Sequence, residues 1–176
     1  TVRDYLPKEA YLISKIECHQ AINDLEGIIL GSDAILIDRG DLSREEPIER
    51  IPFLQKHIIN KAKQLKTKVC VATNLLESMI TNPQPTRAEV NDIYNTLLDG
   101  ADALVLAAET AIGKWPIRSV DMVAKIIVEF ERKNSSIDPQ SSFTSLNLFS
   151  SLPDPHGGKL VDQILPPKEM ENIREF

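Results

Sequence analysis

The sequence lacks the features that mark several common protein classes. It has only two cysteines, Cys18 and Cys70, well separated and without a CxxC pair. That argues against a disulfide framework or a zinc knuckle and fits reduced thiols in a cytoplasmic setting. No apolar run approaches the roughly 18 residues of a membrane span, and no basic-then-apolar segment opens the chain as a secretory signal does. A surplus of positive charge is missing too. With a net charge of −6 the chain has no general means of releasing counterions from nucleic acid or meeting anionic lipid, so neither partner is expected. The first residue is Thr1 rather than methionine, which leads us to expect a piece of a longer protein.

What is present suits a globular domain. Hydrophobic residues make up 42% and charged residues 26% of 176 positions, enough for one sizeable core. Short β-rich runs recur at Tyr11–Ile16, Ala34–Ile37, Val69–Ala72 and Ala103–Leu106, bounded by polar residues or glycine in the manner of buried parallel strands. Helical spacing lies between them. Ile51, Leu54, Ile58, Ala62 and Leu65 recur every three or four residues and predict one buried helix face. Thr86 with Glu89 reads as a capping box opening a helix that stops at Gly100. Pro116 suits the first turn of a last helix, running through Val120, Val123 and Ile127 to about Arg132. Strand and helix alternating in this way predict parallel strands with right-handed crossovers, in an open α/β sheet or in part of a (β/α) barrel.

Charged and polar residues gather just after the strands: Lys15 and Glu17, then Arg39 and Asp41, then Thr73, then Glu109 and Thr110. The carboxyl ends of parallel strands are where loops converge on an active site. Lys15 and Glu17 are two apart and share a face in extended chain, and Arg39 with Asp41 repeats that spacing. Two carboxylates from neighbouring strands suit a hard divalent cation, magnesium foremost, leaving other coordination positions to water and substrate oxygens. A lysine beside them can neutralise charge on a transferred phosphoryl group or an enolate. Cys18 and Cys70 read as small buried side chains, and Met79 and Trp115 as packing residues.

Read in order, Ser14-Lys15-Ile16-Glu17, Arg39-Gly40-Asp41-Leu42, Ala72-Thr73, Leu76-Glu77-Ser78-Met79, Pro85-Thr86-Arg87-Ala88-Glu89, Leu98-Asp99-Gly100-Ala101-Asp102 and Glu109-Thr110-Ala111 resemble successive motifs of the pyruvate kinase family. The resemblance covers about Val2 to Glu131. It implies four βα units, half of a (β/α)8 TIM-type barrel, over residues 1–133. It further implies that Lys15 stabilises phosphoryl transfer and that Glu17 and Asp41 ligate Mg2+ or Mn2+. Arg39, Gly40, Asp41 and Thr73 would contact substrate, Gly40 through its backbone to the substrate carboxylate and Thr73 near the enolate carbon. Phosphoenolpyruvate or pyruvate would be the ligand. Glu109 would play a supporting part. K+ serves complete family members, but its ligands belong to the barrel half that has no counterpart here.

Departures from the family pattern are Asp38 for alanine before Arg-Gly-Asp, Ser43 for glycine, Ala107-Ala108 for serine-glycine, and Ile112 for lysine. Residues 134–152 read as a linker. The remainder, 153–176, reads as part of a flexible C-terminal tail in which Pro155-His156-Gly157-Gly158-Lys159-Leu160-Val161 resembles the opening of ATP sulfurylase (sulfate adenylyltransferase). These resemblances imply a pyruvate kinase-like region fused to a sulfate adenylyltransferase and inactive alone. The alternative is a non-catalytic metal- or phosphate-binding module that regulates or assembles such a fusion. Open strand edges predict a homodimer or association with the missing barrel half.

Overall fold

A computed structural model describes residues 2–134. The linker and tail readings for 135–176 lie outside the described residues. The four expected strands are present as β1 (Ile13–Ile16), β2 (Ala34–Asp38), β3 (Lys68–Ala72) and β4 (Ala103–Val105). All neighbours pair in parallel, and spatial order follows chain order, β1-β2-β3-β4. This is the four-unit α/β arrangement expected of part of a barrel.

Between the strands lie α1 (His19–Asn23), α2 (Leu25–Leu30), α3 (Arg39–Glu45), α4 (Ile51–Gln64), α5 (Arg87–Asp99), α6 (Ala108–Ala111) and α7 (Pro116–Asn134). Short 3-10 turns occupy Val2–Tyr5, Ile48–Arg50 and Glu77–Ile80. Sequence periodicity anticipated α4, α5 and α7. It missed the four short helices, because one or two turns present too few positions for a 3.6-residue period to emerge. On α7 the buried face is Ser119, Val123 and Ile126, whereas Val120 is exposed.

Alternation along the strands separates core from site. Ile16, Ile35, Ile37, Val69 and Val71 share a face and join Ile29, Leu54, Ile58 and Ile59 in one apolar cluster. Each such side chain, fully buried, contributes roughly 1.5–3 kcal/mol. Lys15, Leu36 and Cys70 are in register across the opposite face. A second cluster joins Leu75, Leu76 and Met79 to Ile93 and Leu97 of α5 and Val123 and Ile126 of α7. Met79 thus packs as the sequence suggested. Cys70 is buried but Cys18 only partly so, and both thiols are free. The expectation that both are buried is corrected for Cys18, which sits at the N-terminal cap of α1, only partly packed against the apolar cluster.

The boundaries of α5 follow from local chemistry. Thr86 Oγ1 accepts from the Glu89 amide at 3.2 Å and Glu89 Oε2 accepts from the Thr86 amide at 2.7 Å, a reciprocal capping box. Glu89 also takes hydrogen bonds from the Ser78 amide and hydroxyl, tying the turn after β3 to the helix start. Gly100 ends the helix at φ 102°, a left-handed conformation that a side chain would strain.

Burial pushes the Glu89 carboxyl up, but the bonds from Ser78 and Thr86 outweigh it and hold the group below its ordinary value. Its stabilising contribution is therefore complete above the ordinary carboxyl range and lost as pH falls through the lowered folded value. Glu89→Ala is expected to lower stability by about 1–2 kcal/mol at neutral pH. Urea melts should show the difference between the two proteins shrinking toward pH ~3, where carboxylates protonate.

Candidate active site

Lys15 lies on the face of β1 opposite the core, and Glu17 follows immediately after the strand. The Lys15 ammonium sits 2.6 Å from Glu17 Oε2, 3.0 Å from Asp38 Oδ2 and 3.9 Å from Asp41 Oδ2. The spacing expectation for Lys15 and Glu17 therefore holds. Hydrogen bonds to Glu17 and then Asp38 hold the Lys15 ammonium above its ordinary pKa, so it stays charged throughout the physiological range. Its side chain is 48% exposed, leaving it accessible to a ligand.

Arg39 and Asp41 do not share an extended face. The chain turns helical at Arg39, so their spacing of two no longer places them together. Asp41 turns toward Lys15 and also meets the exposed Arg44 at 3.0 Å. Arg39 is buried, 8% exposed. Its Nη2 donates to the Thr73 and Asn74 carbonyls at 2.8 and 3.0 Å, and its Nη1 donates to Asp92 Oδ2 at 2.6 Å.

Those carbonyls belong to two consecutive residues with positive φ, Thr73 at 65° and Asn74 at 53°. Asparagine tolerates this region, but a β-branched threonine there is strained and persists only when its surroundings impose it. Arg39 imposes it from below. From the side, the Gly40 amide donates to Thr73 Oγ1 at 2.7 Å, and a Cβ on Gly40 would come within 3.3 Å of that oxygen. The Thr73 hydroxyl can in turn donate to Asp38 Oδ1 at 3.1 Å or to the Ala72 carbonyl at 2.7 Å.

Asp38, noted in sequence only as a departure, is central to the cluster. Its Oδ1 also accepts from the Asp41 amide at 3.3 Å, capping α3. Burial raises the Asp38 pKa, but Lys15, the Asp41 amide and the Thr73 hydroxyl outweigh it and hold the carboxyl below its ordinary value. Glu17, Asp38 and Asp41 each place one oxygen within 4.8 Å of the others. Three hard oxygen donors on two adjacent strand ends fit the donor chemistry of Mg2+ or Mn2+.

Glu109 is 2% exposed. Its two oxygens accept from the Leu76 and Ala107 amides at 2.9 and 2.8 Å, bracing the loops after β3 and β4. Beside it lies a small cavity of about 110 Å³ lined by Thr73, Asn74, Glu77 and Ala107 among others. Gln55 carried no sequence signal. It is buried against Arg39 and Thr96, and polar residues on a helix ordinarily face solvent. Trp115 packs under the Arg118 guanidinium, 4.5 Å from its ring centre.

Lys15 and its carboxylate partners lie at the carboxyl ends of neighbouring parallel strands, the end where barrel proteins carry their sites. Comparison with known proteins defines it further. The family model described as pyruvate kinase, barrel domain, matches residues 2–120. Pyruvate kinase from Thermotoga maritima is 53% identical over 126 residues, covering 72% of this chain and 27% of that protein. That of Mycobacterium tuberculosis strain H37Rv is 43% identical over 138 residues, covering 78% and 29%. That of Dictyostelium discoideum is 44% identical over 146 residues, covering 83% and 29%. The chain belongs to the pyruvate kinase family. It spans less than a third of the length of these curated relatives.

Arg39→Met removes a charge-assisted clamp from the Thr73 and Asn74 carbonyls while leaving Asp92 able to hydrate. Stability is expected to fall by about 2–4 kcal/mol, in line with the loss of hydrogen bonds to a charged group. Denaturant melts give the magnitude. Hydrogen exchange localised to the Thr73–Asn74 turn would tie the loss to the clamp, and an unchanged turn would refute that role.

Proposed function

We propose that the chain forms the magnesium- and phosphoenolpyruvate-facing half-site of a pyruvate kinase-type enzyme, within a longer protein or an assembly that supplies the rest. The observation that supports this reading most is the Lys15 ammonium held among Glu17, Asp38 and Asp41, with the Thr73 hydroxyl in reach of the same Asp38 carboxylate. Glu17 and Asp41 would hold the metal, with Mg2+ or Mn2+ supplying Lewis-acid stabilisation of substrate oxygens when bound. Lys15 would offset negative charge as it develops on a transferred phosphoryl group or an enolate oxygen, a positioned charge needing no rearrangement at the moment of reaction. The Gly40 amide donates to the Thr73 hydroxyl, and that hydroxyl would orient the substrate's reacting carbon. Gly40 and Asp41 would line the substrate, whereas Arg39 would serve it by shaping the turn.

The non-catalytic alternative is a metal-dependent binding module. It draws support from the extra carboxylate of Asp38. Continuity with a sulfate adenylyltransferase rests on the Pro155–Val161 run alone, and reading the open reading frame on both sides of this chain tests it. Free thiols suit a reducing, cytoplasmic compartment. Among the described residues no helix is long and apolar enough to cross a membrane. The sheet ends at β1 and β4, edges that favour a homodimer or a partner half-barrel, and sedimentation at micromolar concentration distinguishes these from a monomer.

Calorimetry is expected to detect weak Mn2+ or Mg2+ binding that strengthens with oxalate, a bidentate enolpyruvate mimic. Glu17→Gln and Asp41→Asn should abolish the coupling, and unchanged binding in both would remove the metal assignment.

The chain alone is expected to show no pyruvate kinase turnover in a coupled assay with phosphoenolpyruvate and ADP. Turnover that Lys15→Met abolishes would overturn that expectation and favour a self-sufficient site.

A further inference from the structure

The inward-facing donors of the candidate site are already engaged, and by one of the chain's own side chains. Lys15 Nζ lies 3.0 Å from Asp38 Oδ2, while the Asp41 amide and the Thr73 hydroxyl reach Asp38 Oδ1 at 3.3 and 3.1 Å. An ammonium, an amide and a hydroxyl converging on two oxygens of one planar group is a carboxylate cradle, and here the carboxylate is covalently part of the protein. We propose that Asp38 is an internal carboxylate that fills the position of a small anionic ligand's own carboxylate and so sets the site's selectivity against such anions. This inference rests on the metal-site reading given above.

Two effects act together. The first is occupancy: Asp38 is buried and engages the Asp41 amide and the Thr73 hydroxyl, so an incoming carboxylate reaches those two donors only when Asp38 swings away, although the half-exposed Lys15 ammonium stays open to it. The second is charge. Asp38 lowers by one the charge of the site when a divalent cation is bound, and a like charge set against an incoming anion is strongly unfavourable in a partly desolvated pocket. Glu17 and Asp41 do not have this role. They are more exposed than Asp38, their side chains 39% and 41% against 11%.

Oxalate binding at fixed Mn2+, measured by calorimetry on the full chain, tests the proposal. Asp38→Ala frees the cradle and removes the charge, and oxalate is expected to bind about tenfold more tightly, the size expected from relieving one like-charge contact. Asp38→Asn removes the charge but keeps an oxygen for Thr73 and the Asp41 amide. It should tighten oxalate by less, and its closer mimicry of the native cap protects against misfolding, which thermal melts would reveal. Unchanged or weaker oxalate binding in both variants, with Mn2+ still bound, would overturn this inference alone. Loss of Mn2+ binding in both variants, with the native chain still binding it, would make Asp38 a metal ligand and equally overturn it. Failure of Mn2+ to bind the native chain and either variant would overturn the metal-site reading and this inference with it.

Discussion

The site's geometry depends on one buried cation. Arg39 places its guanidinium beneath the turn after β3, where it gathers the carbonyls of Thr73 and Asn74 and pairs with Asp92 of α5. These charge-assisted bonds are stronger than neutral ones and directionally specific. They join the end of β2 to the end of β3 and to the helix that follows. Because they hold Thr73 in a conformation it would otherwise leave, its hydroxyl reaches both the Gly40 amide and Asp38. Asp38 and Lys15 are themselves placed by the register of β2 and β1. A lysine in place of Arg39 would lack the planar fork needed to serve two carbonyls and a carboxylate at once.

The acidic residues of this region divide by environment. Glu109 and Glu89 bond to backbone amides of nearby loops and serve as mechanical ties. Glu17 and Asp41 face Lys15 from the solvent side. Asp38 belongs partly to each group, capping a helix while bonding the lysine. A substitution at such a position alters local structure and site charge together.

Most of the architecture was legible in the sequence because strands and long helices express their periods over many residues. The site was legible where its residues lay in extended chain: Lys15 and Glu17 meet as their spacing requires. Arg39 and Asp41 misled because α3 begins between β2 and Asp41, and a seven-residue helix leaves too little pattern to detect. Asp38 stood out only against a family pattern, which says that a residue differs without saying what it touches. The left-handed turn was hidden for a chemical reason. Threonine disfavours that conformation, so nothing in the motif announces it. Gln55 was hidden because its partners, Arg39 and Thr96, are distant in sequence.

Strand order that follows chain order has a consequence for how the chain acquires its structure. Each strand after the first pairs with the one before it, so among the described residues no pairing waits for a distant segment, and each loop to be closed is a single strand–helix unit. Closure entropy grows only slowly with such modest loops, and contacts of short sequence separation accompany faster folding. The sheet can therefore grow by accretion, each new unit docking on a surface already formed. Asp38 and Thr73 would meet as β3 is laid against β2, so the cradle's donors would be in the hands of an internal carboxylate before β4 is added.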